Sequence, residues 1–305
     1  MRRFADTYDG NYRVLEEREN VIVLESPYPG DFEEVSRIYL YTYPSSGDKG
    51  FVLFVHGLGR YNLKFLRWFP REFSKMGFTS ALMILPYHFD RTPKGYKSGE
   101  LFLNTTDNDA LRSRFEHAVV DLLASFDFFR DRYGEEIFLM GYSFGGMIAV
   151  MASAFRDPKG LSLVVTGGNF LHITWESLVT KVFRVQYEKN GECDVEKCRF
   201  WHSKENFWKF IDELKDPAIV LNSAPMKCYE YDPLVFAKFV RSPVIFFKAL
   251  FDFFIPSKSS DELFQRLGSD IKERHLLFSG HVGSFLLWRK YIVKKSSLFF
   301  EKVSE

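Results

Sequence analysis

Ser143 sits in the stretch LMGYSFGGMIA, residues 139 to 149, with Gly141 two positions before it and Gly145 two positions after. A serine hydroxyl is a poor nucleophile at neutral pH; it does covalent chemistry only when a base takes its proton and a third group orients that base. Small residues also cluster in turns for other reasons, and a serine here could simply cap a helix. The flanks argue for more. EIFLM before the turn and GMIAVMASAF after it spell strand, sharp turn, helix, the arrangement that holds a serine in strained geometry with its hydroxyl above a sheet. Glycine is expected at 141 and 145 because a side chain there would collide across the turn.

A base and an acid follow in chain order. Asp252 ends the apolar run SPVIFFKALFD, and His281 follows ERHLLFSG within Gly280-His281-Val282-Gly283. Serine, then acid, then histidine, each at the end of an apolar run, is the order expected where the serine stands on a strand–turn–helix elbow of this kind. Asp261 and Asp232 are rival acids, but Asp261 falls inside a predicted helix and Asp232 precedes PLVFAKFV. Among the other histidines, His117 is mid-helix, His172 and His202 lie in a helical stretch, and His275 begins its run. Developing negative charge needs two donors. The loop VHGLGRYN directly follows the buried FVLFV, so the backbone N–H groups of Leu58 and Phe144 are expected to form the oxyanion hole. His56 and its glycines could also be simply a tight strand-to-helix turn.

These residues need a scaffold. Residues 11 to 43 alternate in character and predict two or three strands of an antiparallel edge. From residue 51, FVLFVHG, TSALMILPY, EIFLMGYS, LSLVVTGG, SPVIFFKALFD and ERHLLFSG read as strands covered on both faces. Between them Leu111, Phe115, Val119, Leu122, Phe126 and Phe129 recur at helical spacing over 108 to 132, with shorter patterns at 62–75, 144–156, 257–268 and 284–302. The alternation predicts an α/β fold with a doubly wound, mostly parallel sheet. Residues 170 to 238 break it, with helical stripes at Trp175, Leu178, Val179, Val182 and Phe183 and then at Phe207, Phe210, Ile211 and Leu214. That stretch is expected to be a helical cap inserted into a core formed by 1–169 and 239–305.

HGLG, GYSFGG, ALFDFFIP and SGHVG, in that order, resemble the α/β-hydrolase superfamily from about residue 50 to the C-terminus, the insertion excepted. The resemblance implies a serine hydrolase of the carboxylesterase or lipase-like kind, acting through a covalent serine ester with Ser143, Asp252 and His281 as its triad. A peptidase or amidase of the same fold shares that chemistry, and a binding protein could keep the fold without it. For the pocket, the candidates are His56, Tyr142, His88, Val179 and Val182. The long connection PYHFDRTPKGYKSGELFLNTTD could also line it, with His88 or Arg91 facing a polar substrate group.

Composition narrows the partners. Forty-one basic and 40 acidic residues leave a formal charge of +1 in 305 residues, which suggests neither nucleic acid nor an anionic membrane. A small-molecule ester is the expected partner. No segment is long and apolar enough to span a membrane, and no secretory leader is evident, so a cytoplasmic protein is expected. Cys193, Cys198, His202 and Cys228 could be assembled into a zinc site, but the spacing is not that of paired zinc ligands. Unlinked thiols are expected, with no metal and no cofactor.

Overall fold

A computed structural model describes residues 2–59, 62–102, 104–191 and 193–305. Arg60 and Tyr61 of the VHGLGRYN loop, Leu103 and Glu192 lie outside the described residues. The chain forms one nine-stranded sheet: β1 (Val14–Arg18), β2 (Val21–Glu25), β3 (Arg37–Tyr43), β4 (Phe51–Val55), β5 (Thr79–Met83), β6 (Ile137–Tyr142), β7 (Gly160–Val164), β8 (Val244–Ala249) and β9 (Lys272–Leu277). In space the order is β1-β2-β3-β5-β4-β6-β7-β8-β9. The first three strands pair antiparallel, β3 runs antiparallel to β5, and every pair from β5 to β9 is parallel. The α/β architecture and the antiparallel N-terminal edge are therefore as the pattern predicts.

Strands β4, β6, β7 and β8 are buried along their whole length, as continuous apolar runs under helices on both faces should be. ERHLLFSG departs from this expectation. It forms β9, the open edge of the sheet, where only Leu277 is buried and His275 is the fourth residue, not the first. An edge strand has a neighbour on one side only, so its side chains need not be apolar. The helices at 62–75 and 284–302 are each two segments, Leu63–Leu66 with Trp68–Lys75 and His281–Leu287 with Arg289–Ser304.

Helix Asn108–Tyr133 begins where the Asp107 side chain accepts from the Asp109 and Ala110 N–H groups, and ends at Gly134, whose φ of 82° suits glycine. Its predicted apolar stripe is buried, but so is much of the other face, including Glu116, His117, Asp121 and Asp127. The N-terminal segment packs over that face and partners its charges. Arg2 meets Glu116 at 2.6 Å, Tyr8 donates to Asp127 at 2.9 Å and Ser26 donates to Asp121 at 2.6 Å. Between β7 and β8 the described residues form helices and turns, starting with Phe170–Trp175, Lys181–Asn190 and Val195–Trp201 and ending with Pro233–Ala237.

Candidate active site

Ser143 occupies the turn between β6 and helix Phe144–Ala152 with φ 53° and ψ −117°. That region is rare for any residue with a Cβ and costs on the order of 1–3 kcal/mol, held only where surrounding structure dictates it. Crowding dictates it here. A Cβ on Gly145 would lie 2.3 Å from the Val55 carbonyl oxygen, and one on Gly141 would lie 2.5 Å from the Gly146 Cα. The strand, the turn and the neighbouring loop can approach this closely only through glycines.

The Ser143 Oγ lies 2.9 Å from His281 Nε2, and His281 Nδ1 lies 2.7 Å from Asp252 Oδ2. With Nδ1–H donating to the carboxylate, Nε2 is left as the acceptor for the serine proton. The other Asp252 oxygen accepts from the N–H groups of Phe254 at 2.8 Å and Ile255 at 2.9 Å, which fixes the carboxylate's orientation. The Phe254 ring stacks on the imidazole, centroids 4.8 Å apart and planes 14° from parallel. The His281 and Asp252 side chains are 3% and 5% exposed. All three residues come from loops at the carboxyl ends of parallel strands, where ligands bind in open α/β sheets.

The rival acids are committed elsewhere. Asp261 binds Lys248 at 2.8 Å and also pairs with Arg274. Asp232 is buried and accepts from the backbone of Asn169, Phe170 and Leu234, and burial pushes its carboxyl up to about 6. Neither hydrogen-bonds to His281.

Leu58, Gly59, Ser143, Phe144 and His281 share one cavity of about 670 Å³. Phe144 opens its helix, so its N–H has no carbonyl four residues back to meet. Among the described residues, neither that N–H nor the one on Leu58 has a recorded acceptor. Both residues line the cavity that holds Ser143, and backbone amides without acceptors are the donors that a negatively charged oxygen needs.

The remaining pocket candidates fare differently. Val179 borders the cavity, but Val182, one helix position beyond Lys181, is exposed and does not; Phe183 and Tyr187 of that helix do. Tyr142 is buried away from it, its hydroxyl 2.9 Å from the His281 carbonyl oxygen and 3.0 Å from Ser284 Oγ, anchoring the turn that carries His281. His56 is also buried. Its Nδ1–H donates to the Gly57 carbonyl at 2.8 Å and its Nε2 accepts from the Leu85 N–H at 3.1 Å, tying the Leu58 loop to the end of β5. Burial lowers its pKa to about 4. His88 packs edge-on against His56 at 5.0 Å, donates from Nδ1 to the Pro86 carbonyl at 2.9 Å, and is held by burial at about 3. Arg91 does not face a substrate either: it is fully buried, bonded to Asp121 at 2.6 Å and to the carbonyls of Val35 and Ile84.

Phe102, Phe115, Met147 and Phe170 line the cavity although none is among the pocket candidates; Leu111, Phe115, Trp175 and Phe183 belong to periodic stripes, but periodicity alone does not say that a stripe faces a cavity. Cys193, Cys198 and Cys228 also border it, all unlinked. Among the described residues no three His, Cys, Asp or Glu side chains are grouped so as to hold a metal ion.

No protein-family model and no curated protein matches the chain. Solved structures do match in shape. One of two metagenome-derived lipolytic enzymes superposes with a TM-score of 0.56 at 17% identity, over 90% of this chain and 99% of that one. An esterase of Pyrococcus furiosus gives 0.56 at 14% identity over 96% and 92%. An acylaminoacyl peptidase of Pyrococcus horikoshii gives 0.56 at 14% identity, over 96% of this chain and 41% of that one. The chain has the α/β-hydrolase fold.

Proposed function

We propose that the protein is a serine hydrolase that cleaves carboxylic esters through an acyl-enzyme intermediate. The observation that carries the reading is the hydrogen-bonded series Ser143–His281–Asp252 opening on a cavity that Leu58 and Phe144 also line. Ser143 Oγ attacks the ester carbonyl as His281 Nε2 takes its proton. The Leu58 and Phe144 N–H groups stabilise the tetrahedral oxyanion, and His281 returns the proton to the departing alcohol. Water then repeats the sequence on the acyl-serine. Asp252 keeps the imidazole in the required tautomer and stabilises its cationic form.

The lining favours esters over aminoacyl amides. It is mostly aromatic and aliphatic, and none of the described residues around it is Asp or Glu that could pair with a substrate ammonium group. The similarity to esterases and a lipolytic enzyme agrees, while the peptidase keeps amide cleavage as the alternative to be tested. We assign residues 170–238 as a cap over the site, because helix Lys181–Asn190 contributes Phe183 and Tyr187 to the same cavity as Ser143.

A fluorophosphonate probe tests the reading. It should label the folded protein at Ser143, and Ser143→Ala, which leaves almost no cavity, should abolish labelling and lower kcat toward p-nitrophenyl esters by about 10⁶ without changing Tm. Folded protein that resists the probe would be a binding protein. Turnover of aminoacyl anilides above that of esters would make it an amidase.

A further inference from the structure

We infer that the surface carrying the Asp252 and His281 loops docks onto an anionic lipid surface. Four large apolar side chains around Asp252, namely Leu250, Phe251, Phe253 and Phe254, are exposed, Phe253 by 65%. Across from them Phe278 is 74% exposed, and the helix that begins at His281 turns Leu286 and Leu287 outward, Leu287 by 80%. Scattered exposed apolar residues are ordinary; a contiguous group is not. Around Asp252 the exposed side chains adjoin one another, and Leu286 and Leu287 follow on the helix that begins at His281. The Phe251 and Phe278 rings meet edge-on at 5.0 Å, and the Leu250 and Phe251 N–H groups donate to the carbonyls of Leu277 and Ser279 at 3.0 Å. The Leu178 N–H donates to the Phe253 carbonyl, which brings a further exposed leucine to the same rim.

Charge selects the occupant. From His275 to Phe300 the chain contains no Asp or Glu, while Arg289, Lys290, Lys294 and Lys295 follow directly on the exposed leucines. None of the four has a carboxylate partner among the described residues; Arg289 lies over the Trp68 ring and Lys295 over Tyr291. The balanced total charge conceals this local excess. A second copy meeting this face about a twofold axis would set these cations against their own equivalents with no acid on the segment to pair them. Anionic headgroups over an apolar interior complement both features at once. No helix among the described residues is long and apolar enough to cross a membrane, so the contact is peripheral, with the mouth of the cavity turned toward the lipid.

Vesicle flotation tests this independently of the hydrolase reading, because Ser143→Ala protein can be used. The full-length chain should float with phosphatidylcholine vesicles containing phosphatidylglycerol, less with phosphatidylcholine alone, and should be released by salt. Combining Phe278→Ser, Leu286→Ser and Leu287→Ser should lower the bound fraction by about tenfold or more, and Lys290→Glu with Lys294→Glu should remove the preference for phosphatidylglycerol. An unchanged Tm, and unchanged turnover of a water-soluble acetate ester in the wild-type background, would show that these variants are folded. Protein that stays with neither vesicle, or variants that float like the parent, overturn the proposal. So would a dimer dissolved by Leu287→Glu in the absence of vesicle binding.

Discussion

At the scale of single residues, the site turns on a serine held at φ 53° and a histidine with a different partner on each nitrogen. The choice of carboxylate can be checked directly. Asp252→Asn presents an amide that favours the wrong imidazole tautomer, so kcat should fall by roughly 10⁴. Asp261→Asn removes a partner of Lys248 and Arg274 and should cost stability while leaving kcat within a few-fold. A silent Asp252→Asn beside a crippled Asp261→Asn would reverse the assignment. Much of this was legible in the sequence, since the elbow, the acid and the histidine each carry a local signature of turn chemistry after an apolar run. The pocket residues were less so. His56, His88 and Arg91 stand close in the chain to loops of the site, yet their side chains point to Gly57, Pro86 and Asp121.

At the scale of elements, helix Lys181–Asn190 and the turn before it bear on substrate choice. Val179 borders the cavity and Val182 does not, although both belong to one periodic stripe. Val179→Trp should therefore shorten the acyl chain preferred in a p-nitrophenyl ester series, with little change in the rate of labelling by a small phosphonate. Val182→Trp, on an exposed face, should leave the profile as it is. Equal effects from the two variants, or none from either, would remove this helix from the acyl pocket. Helical periodicity identified the stripe, but the rotation of the helix about its axis depends on what it packs against.

Across the whole molecule, burial sets an acid sensitivity. Burial holds His56 at about 4, His88 at about 3 and His202 at about 4, against an ordinary value of 6.5. Below pH 6.5 the unfolded chain binds protons at these positions that the native state refuses, so ΔG of unfolding falls as pH drops toward 4. The contribution is complete above pH 6.5. Each group is worth on the order of a few kcal/mol, since one pKa unit is about 1.4 kcal/mol. Asp232 acts in the opposite sense: pushed up to about 6 from 3.8, it binds its proton more readily in the native state and partly offsets the loss over that window. Urea midpoints should fall between pH 6.5 and 4, and less steeply in His88→Gln. An acid slope that His88→Gln leaves unchanged would mean that His88 is not held neutral by the fold.

The sequence alone determined the alternation of buried strands and helices and the order of the motifs, and it singled out Ser143, Asp252 and His281 as candidates that the fold brings into one hydrogen-bonded series, because each rests on neighbours within a few residues. Tertiary structure decided what depended on distant contacts. The run ERHLLFSG became an open edge because no strand follows it in the sheet. Helix Asn108–Tyr133 could bury Glu116, Asp121 and Asp127 because the N-terminal segment, Arg91 and Arg156 supply partners from far away in the chain. Arg91 was thereby drawn into the core instead of the pocket, since a buried carboxylate left unpaired would cost several kcal/mol, about as much as losing a well-packed core residue.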